Sequence, residues 1–393
     1  MQRLSAAADD RFAVRVFVIV LAIWMLLPIA LHQYSATDTT PFVVAGRLVR
    51  SGNTADIYLD KNGDVAPRFR AEACPGADPR CESAPFVAPP TALPLAVPLG
   101  YLSIRGAAFV VRMLDAIALV LTMALLWQRL ADRGPTTRRA IAISAVLLTP
   151  LVVVTLDMGN NSPLIVLLVA AVAVERVRHP AAEVGLGVGI AMAAALKLFP
   201  AALLLVALAQ RRFRVVAGGV AGIVVLSGVT ASIAPTSLYA DFWQTTSRWS
   251  DRVAIGWFNG SIEASAREYS GSGWPVVVWA LRAIIVVAAI RLYPRVPARA
   301  LWPLAPFLLI TVFPQVWVYY LFFAVVATCV LVEATGRLGL LPAVAAVSSA
   351  PAIAQRLSMH AAWVYTGSVL TLLVIVAYAL PERSRADEPT MIS

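Results

Sequence analysis

The sequence predicts an all-α polytopic membrane protein, a bundle of roughly 10–12 membrane helices, some broken or half-length, joined by long extracytoplasmic loops. Three observations carry this. Of 393 residues, 60% are hydrophobic and 14% charged, with a mean hydropathy of +0.77, which is more apolar surface than a soluble core can hide. The apolar residues gather into runs of membrane-crossing length, the first from Phe12 to Leu31. Arginine supplies nearly all of the 32 basic residues and clusters between those runs, in "RLADRGPTTRR" (129–139), "QRRFR" (210–214), "RLYPRVPAR" (291–299) and "ERSR" (382–385). A net charge of +10 distributed in this way anchors topology instead of forming a nucleic-acid-binding face, so membrane lipids are expected partners and nucleic acid is not.

The clusters order the chain as one integral membrane domain, 1–393. Phe12–Leu31 exceeds a signal-peptide core and is read as a retained helix with its N-terminus inside. Residues 32–85 then form a first extracytoplasmic loop, 234–273 a second, and 381–393 a cytoplasmic tail. The first loop carries Cys74 and Cys81 in "CPGADPRC", whose closeness in a translocated Pro/Gly-rich segment favours a disulfide; Cys329 lies in an apolar run. The apolar piece "FVAPPTALPLAVPLGYL" (86–102) is interrupted by Pro89, Pro90, Pro94 and Pro98 and is expected to lie on the surface or re-enter, not to cross. Between "RVRHP" and "QRRFR", one helix from Val184 to Ala209 would put these basic groups on opposite faces. Two shorter segments breaking at "KLFP" keep both inside, and Pro200, which lacks a donor and clashes with the preceding turn, supports the break.

That break holds Lys197, one of two lysines in the chain. An ammonium within apolar sequence is costly, and a residue kept for folding alone would better be Leu, so its presence points to an anion. The ordinary alternative is a lysine snorkelling to the interface. Two similar polar breaks occur at "LDMGNNSP" (156–163) and at Pro314–Gln315 in "LLITVFPQVWVYYLFF". Such breaks persist in a bilayer where they are buried in protein or line a wet cavity, and all three are expected on the outer side. Asp38 lies a few residues beyond the first apolar run, where a carboxylate is either an interfacial helix-end charge or a base facing the same site.

The order of these features resembles glycosyltransferase family 87 of the GT-C superfamily. The family's Asp, Ala, Leu, Gly and Tyr pattern is matched by "DTTPFVVAGRLVRSGNTADIY" from Asp38 to Tyr58. Its Tyr-Pro-Pro element corresponds to Ala88-Pro89-Pro90, and its Gly-Gln-x-Asn turn to Gly159–Ser162, with Asn160 and Ser162 replacing Gln and Asn beside Asn161. Lys-x-x-Pro is intact at Lys197–Pro200 and Asn-x-Ser at Asn259–Ser261. Ser-Pro-x-x-Trp followed by histidines corresponds to Pro314, Gln315 and Trp317, with Tyr319 and Tyr320 where His is usual. The resemblance implies a GT-C-like fold and an inverting glycosyltransferase of the inner (plasma) membrane and cell envelope. It implies transfer of mannose or arabinofuranose from a polyprenyl-phosphate donor to a glycolipid or polysaccharide acceptor on the extracytoplasmic face. It also makes Asn160, Asn161, Asn259, Ser261, Gln315, Trp317, Tyr319 and Tyr320 substrate-binding candidates beside Lys197.

The residue types fit that chemistry. A sugar on a lipid phosphate departs leaving an anion, which Lys197 would stabilise, while Asp38 would accept the acceptor hydroxyl's proton. One carboxylate acting without a covalent nucleophile inverts the anomeric centre. No cofactor is expected, and no metal, since His32, His179 and His360 lack ligand spacing. Asp56, Asp60 and Asp64 lack the spacing of a calcium loop and are read as a solvated loop. Trp243, Trp249 and Trp257 suit either sugar stacking or interfacial anchoring. Arg112 and Asp115, at i and i+3, are read as a structural pair. The competing function is a transporter or flippase for an anionic or lipid-linked substrate, which would show an internal repeat and access from both faces.

Overall fold

The computed structural model describes residues 38–60, 62–74, 84–130, 165, 179–253, 261–269, 271–298, 300–312, 320, 323, 326–327, 330–331, 337, 339–356 and 361–380. Its helices, in chain order, are α1 Thr40–Arg50, α2 Pro67–Ala73, α3 Leu93–Leu99, α4 Ile104–Leu130, α5 Pro180–Leu196, α6 Ala202–Ala209, α7 Phe213–Ile233, α8 Leu238–Val253, α9 Ile262–Tyr269, α10 Trp274–Leu292, α11 Leu301–Val312, α12 Leu340–Arg356 and α13 Ala361–Ala379. Among the described residues there is no strand, only an isolated bridge between Leu59 and Val65. Among the described residues, three helical stretches are long and apolar enough to cross a bilayer: Ile104–Leu126, Phe213–Ile233 and Gly271–Arg295. The protein is an all-α polytopic membrane protein. Consistent with lipid contact, Val224 and Val225 of α7 and Val276, Trp279, Ile284 and Ile290 of α10 are largely exposed.

The proline-broken piece before α4 behaves as its sequence requires. It forms a turn at Pro90–Ala92 and the seven-residue α3, about 10 Å of helix and too short to cross. Polar contacts fasten it to α1: the Arg50 guanidinium donates to the Gly100 carbonyl at 3.0 Å and stacks 3.5 Å from the centre of the Tyr101 ring, and Arg47 donates to the Leu102 carbonyl at 3.0 Å. The two helices cross so closely that a Cβ on Gly46 would stand 2.2 Å from the Ala96 carbonyl oxygen. A separate apolar core, with Leu48, Ile57, Tyr58, Phe69, Phe86, Leu93 and Phe242 at its centre, makes α1, α2 and the start of α8 one lobe.

The larger core lies among the membrane helices and contains Leu119 and Met123 of α4, Ile190 of α5, Leu203 of α6, Trp302 and Phe307 of α11, Tyr320, Phe323 and Leu372 of α13. Its most extensive contact joins α5 to α7. Small residues make it possible. A Cβ on Gly187 would lie 2.1 Å from the Val215 carbonyl oxygen, one on Gly218 2.3 Å from that of Val184, and one on Gly222 2.7 Å from the Ala191 side chain. These are the close backbone approaches that glycine permits between membrane helices. The register rises along both helices together, from Val184–Gly218 to Ala191–Gly222, so α5 and α7 run parallel. An ion pair between Glu183 and Arg212 at 3.1 Å ties their starts together. Parallel neighbours need a return between them, and α6, packed on α7 and α11, supplies it. The described parts of the two basic segments, His179–Pro180 and Gln210–Arg214, lie at the same end of the α5–α7 pair.

Where the short α9 packs on α10, Arg282 of α10 meets Glu263 of α9 at 3.1 Å, and Arg267 meets the same carboxylate at 2.8 Å. This pairing lets an arginine lie inside an apolar span. Cys74 closes α2 and is disulfide-bonded; Cys81, the expected partner, lies outside the described residues.

Replacing Gly187 by Val should lower the melting temperature in detergent, since overpacking against backbone costs about 1–3 kcal/mol or more. Gly185→Ala, on the open side of the same helix with nothing within 4 Å, should melt at or above the parent. If Cys74 pairs with Cys81, thiol labelling of denatured but unreduced protein should modify Cys329 alone.

Candidate active site

Lys197 occupies the end of α5. The helix stops there because Pro200 cannot donate to the preceding turn. Lys197 keeps one helical bond, its N–H donating to Ala193 O at 3.0 Å, but turns to an extended backbone at φ −152°, ψ 130°. A tight turn at Phe199–Ala201 then starts the return into α6. At 1.5 Å per residue, the 17 residues of α5 carry the lysine about 25 Å from the helix start. That end faces the α1–α3 lobe: Thr230, near the C-terminus of the parallel α7, donates to Pro90 O at 3.3 Å.

The ammonium is not buried in hydrocarbon alone. Its Nζ stands 4.6 Å from the centre of the Tyr320 ring, within cation–π range. Phe199, two residues on, packs against Tyr320 and Phe323 with ring centres 5.2 and 5.1 Å apart, so the turn that positions the lysine also positions the ring beneath it. The charges of Asp38 and Asp115 both act on Lys197.

Asp38 directly precedes α1. The Thr39 carbonyl accepts the N–H groups of Phe42 and Val43 at 3.1 and 3.2 Å, and Pro41 presets the first turn. Thr39 is buried and Asp38 half-buried. The charge of Asp38 acts on Tyr320 as well as on Lys197. Three residues far apart in sequence, Asp38, Lys197 and Tyr320, thus form one electrostatic cluster where the lobe meets the membrane core.

Of the other expected residues, Ser261 is buried, and its hydroxyl oxygen accepts the Ala264 N–H at 3.0 Å at the start of α9. Asn160, Asn161, Asn259, Gln315, Trp317 and Tyr319 lie outside the described residues. In the segment after Asp38, Ala45 and Leu48 are core residues, Gly52 adopts φ +74°, and the buried Tyr58 hydroxyl donates to the Ala88 carbonyl at 2.8 Å. The spacing from Asp38 to Tyr58 therefore fastens the first loop to the Ala-Pro-Pro turn. The Asp60 carboxylate accepts the N–H groups of Asn62 and Asp64, both at 2.9 Å, as a turn does. Trp243 is 61% exposed on α8 beside buried Phe242, compatible with an interfacial position.

Asp115 is buried on α4, and neither of its oxygens accepts a hydrogen bond among the described residues. The charges of Lys197 and of Arg112, its expected partner, both act on it.

The cluster combines a carboxylate able to take a proton, an ammonium able to hold an anion and an aromatic face beside both, an arrangement suited to group transfer from an anionic leaving group. The model of glycosyltransferase family 87 matches residues 86–302, more than half of the chain. No curated protein and no solved structure matches it.

The Tyr58 phenol gives a pH test of the lobe. Burial, and then the neighbouring Tyr239 and Asp241, push its pKa above the ordinary tyrosine value. In the unfolded chain the phenol ionises at about 10. The stability it contributes should therefore be intact below that pH and be lost as pH rises towards its folded value. Tyr58→Phe should cost about 1 kcal/mol at neutral pH and flatten the alkaline fall in melting temperature.

Proposed function

We infer, for a chain that belongs to glycosyltransferase family 87, that it moves mannose or arabinofuranose from a polyprenyl-phosphate donor to a glycolipid or polysaccharide acceptor, with inversion, on the extracytoplasmic face of the plasma membrane. The observation that carries this is the convergence of Asp38 and Lys197 at one end of the membrane core.

The sugar's bond to phosphate breaks towards oxygen, so negative charge grows on the lipid phosphate. Lys197 meets that charge with an ammonium on a flexible stem. The acceptor hydroxyl attacks C1 from the opposite side and gives its proton to Asp38. Tyr320 provides a face that holds the ammonium and can border a sugar ring. An acyclic lipid tail needs a route from the bilayer, which a site at the end of half-length helices offers. The sidedness follows from the arginine-rich starts of α5 and α7, which would stay in the cytoplasm and leave Lys197 near the outer leaflet.

Asp38→Asn should fold and bind donor but lose about 10² to 10⁴ in transfer rate, because an amide of the same shape cannot accept the proton. The assay is initial rate and donor titration with labelled polyprenyl-phosphate sugars supplied one at a time. Near-parental turnover of the purified variant would remove Asp38 from the mechanism; no transfer by the parent from any such donor would remove the function.

A further inference from the structure

The turn between α6 and α7 carries "QRRFR" (210–214), and the connection from α10 to α11 carries "RLYPRVPAR" (291–299). Far apart in sequence, the two are fastened side by side. The Gln210 amide donates to Ala298 O at 2.7 Å, and its carbonyl oxygen accepts the Trp302 indole N–H at 3.1 Å. Arg212 turns inward, paired with Glu183 at 3.1 Å and lying 5.5 Å from the centre of the Trp302 ring. Four arginines remain outside. Arg211, Arg214, Arg291 and Arg295 are exposed, and none of them makes an ion pair among the described residues.

Their height is that of lipid headgroups. Arg211 and Arg214 stand at the start of the apolar span Phe213–Ile233, and Arg291 and Arg295 lie at the end of the span Gly271–Arg295. Phe213 and Tyr293, 62% and 55% exposed, put aromatic rings at the same level, as side chains at a membrane–water boundary do. Arg211 adds a separate signal. Its backbone is left-handed, at φ +57°, a conformation that glycine adopts freely and arginine does not. The N–H groups of Arg211 and Arg212 close the turn on Leu208 O and Ala207 O at 2.9 and 2.8 Å, bonds that glycine at 211 would also allow. An arginine in that place points to a use for its side chain.

We propose that these four arginines form a binding surface for anionic phospholipid headgroups in the leaflet at the starts of α5 and α7. Guanidinium donors match the phosphate oxygens of such a lipid, and its acyl chains meet the exposed Val220 and Val224 of α7 and Val287 and Ile290 of α10. A bound headgroup braces from outside the two segments that Gln210 joins from inside. Sugar transfer plays no part in this binding.

The test uses the full chain in phosphatidylcholine nanodiscs doped with phosphatidylglycerol of the same acyl chains, read by melting temperature and by the phosphatidylglycerol retained in native mass spectrometry. Phosphatidylglycerol should raise the melting temperature, and added salt should shrink the rise. Each arginine removed should weaken phosphatidylglycerol binding about fivefold. Arg211→Gly should show that loss yet melt near the parent in phosphatidylcholine alone, since glycine suits the turn. Arg211→Gly/Arg295→Gln, which takes one charge from each segment, should multiply the two losses. Arg105→Gln, which removes an exposed arginine at the lobe end of α4, should leave binding unchanged. Equal stabilisation by the two lipids, or as large a loss in Arg105→Gln, would overturn the surface. Inorganic phosphate or an oligonucleotide giving the same shift with the same arginine dependence would overturn a lipid as its occupant. Should the double variant not fold, Arg211→Gly decides alone: unchanged phosphatidylglycerol binding, or failure to fold, overturns the proposal.

Discussion

The close crossing of α5 and α7 is the constraint from which the site follows. Glycines at 187, 218 and 222 let two membrane helices approach backbone to backbone, and their parallel register obliges the chain to return between them. A full-length return is not what the sequence provides: the eight-residue α6 follows a turn centred on Pro200. The break must therefore fall inside the membrane core, and Lys197 falls on it. In a bilayer, without a hydrophobic force driving helix against helix, such contacts depend on van der Waals fit, so removing the small residues would disturb the position of the lysine together with the packing.

The lobe built by α1, α2 and α3 is the second half of the arrangement. It brings Asp38 towards Lys197 by a chain of attachments, each ordinary: a glycine crossing with α3, arginine donations to the carbonyls at the end of α3, and the Tyr58 hydroxyl on Ala88. None of these groups needs to touch substrate. Their effect is to hold one carboxylate at the mouth of a helical break. With Asp38 as the proposed base, such geometry tolerates little displacement, which gives a physical reason for a short degenerate pattern to extend twenty residues beyond that carboxylate.

Electrostatics explains why the site is economical. In low dielectric, an ammonium without partners would be expensive, and here an aromatic face and two carboxylates act on it. The same environment strengthens any interaction with an incoming anion. The Glu263–Arg267–Arg282 group at the α9–α10 contact shows the alternative, charges satisfied by one another through short ion pairs.

Much of this was legible in the amino-acid sequence. Composition points to the bilayer as solvent, the arginine clusters predict that the starts of α5 and α7 share a face, and Pro200 marks where the apolar run breaks, because all three act locally or through the bilayer. The motif order singled out Asp38, Lys197 and Tyr320. The sequence did not determine that these three meet, since nothing in a linear pattern encodes the parallel docking of α5 on α7 or the clamp of the lobe on α3. Nor does it give all the charges around Asp115: spacing along one helix offers Arg112, and the packed structure adds Lys197 from the end of α5. Local periodicity determines which face of a helix is buried; only tertiary packing decides which charge it is buried against.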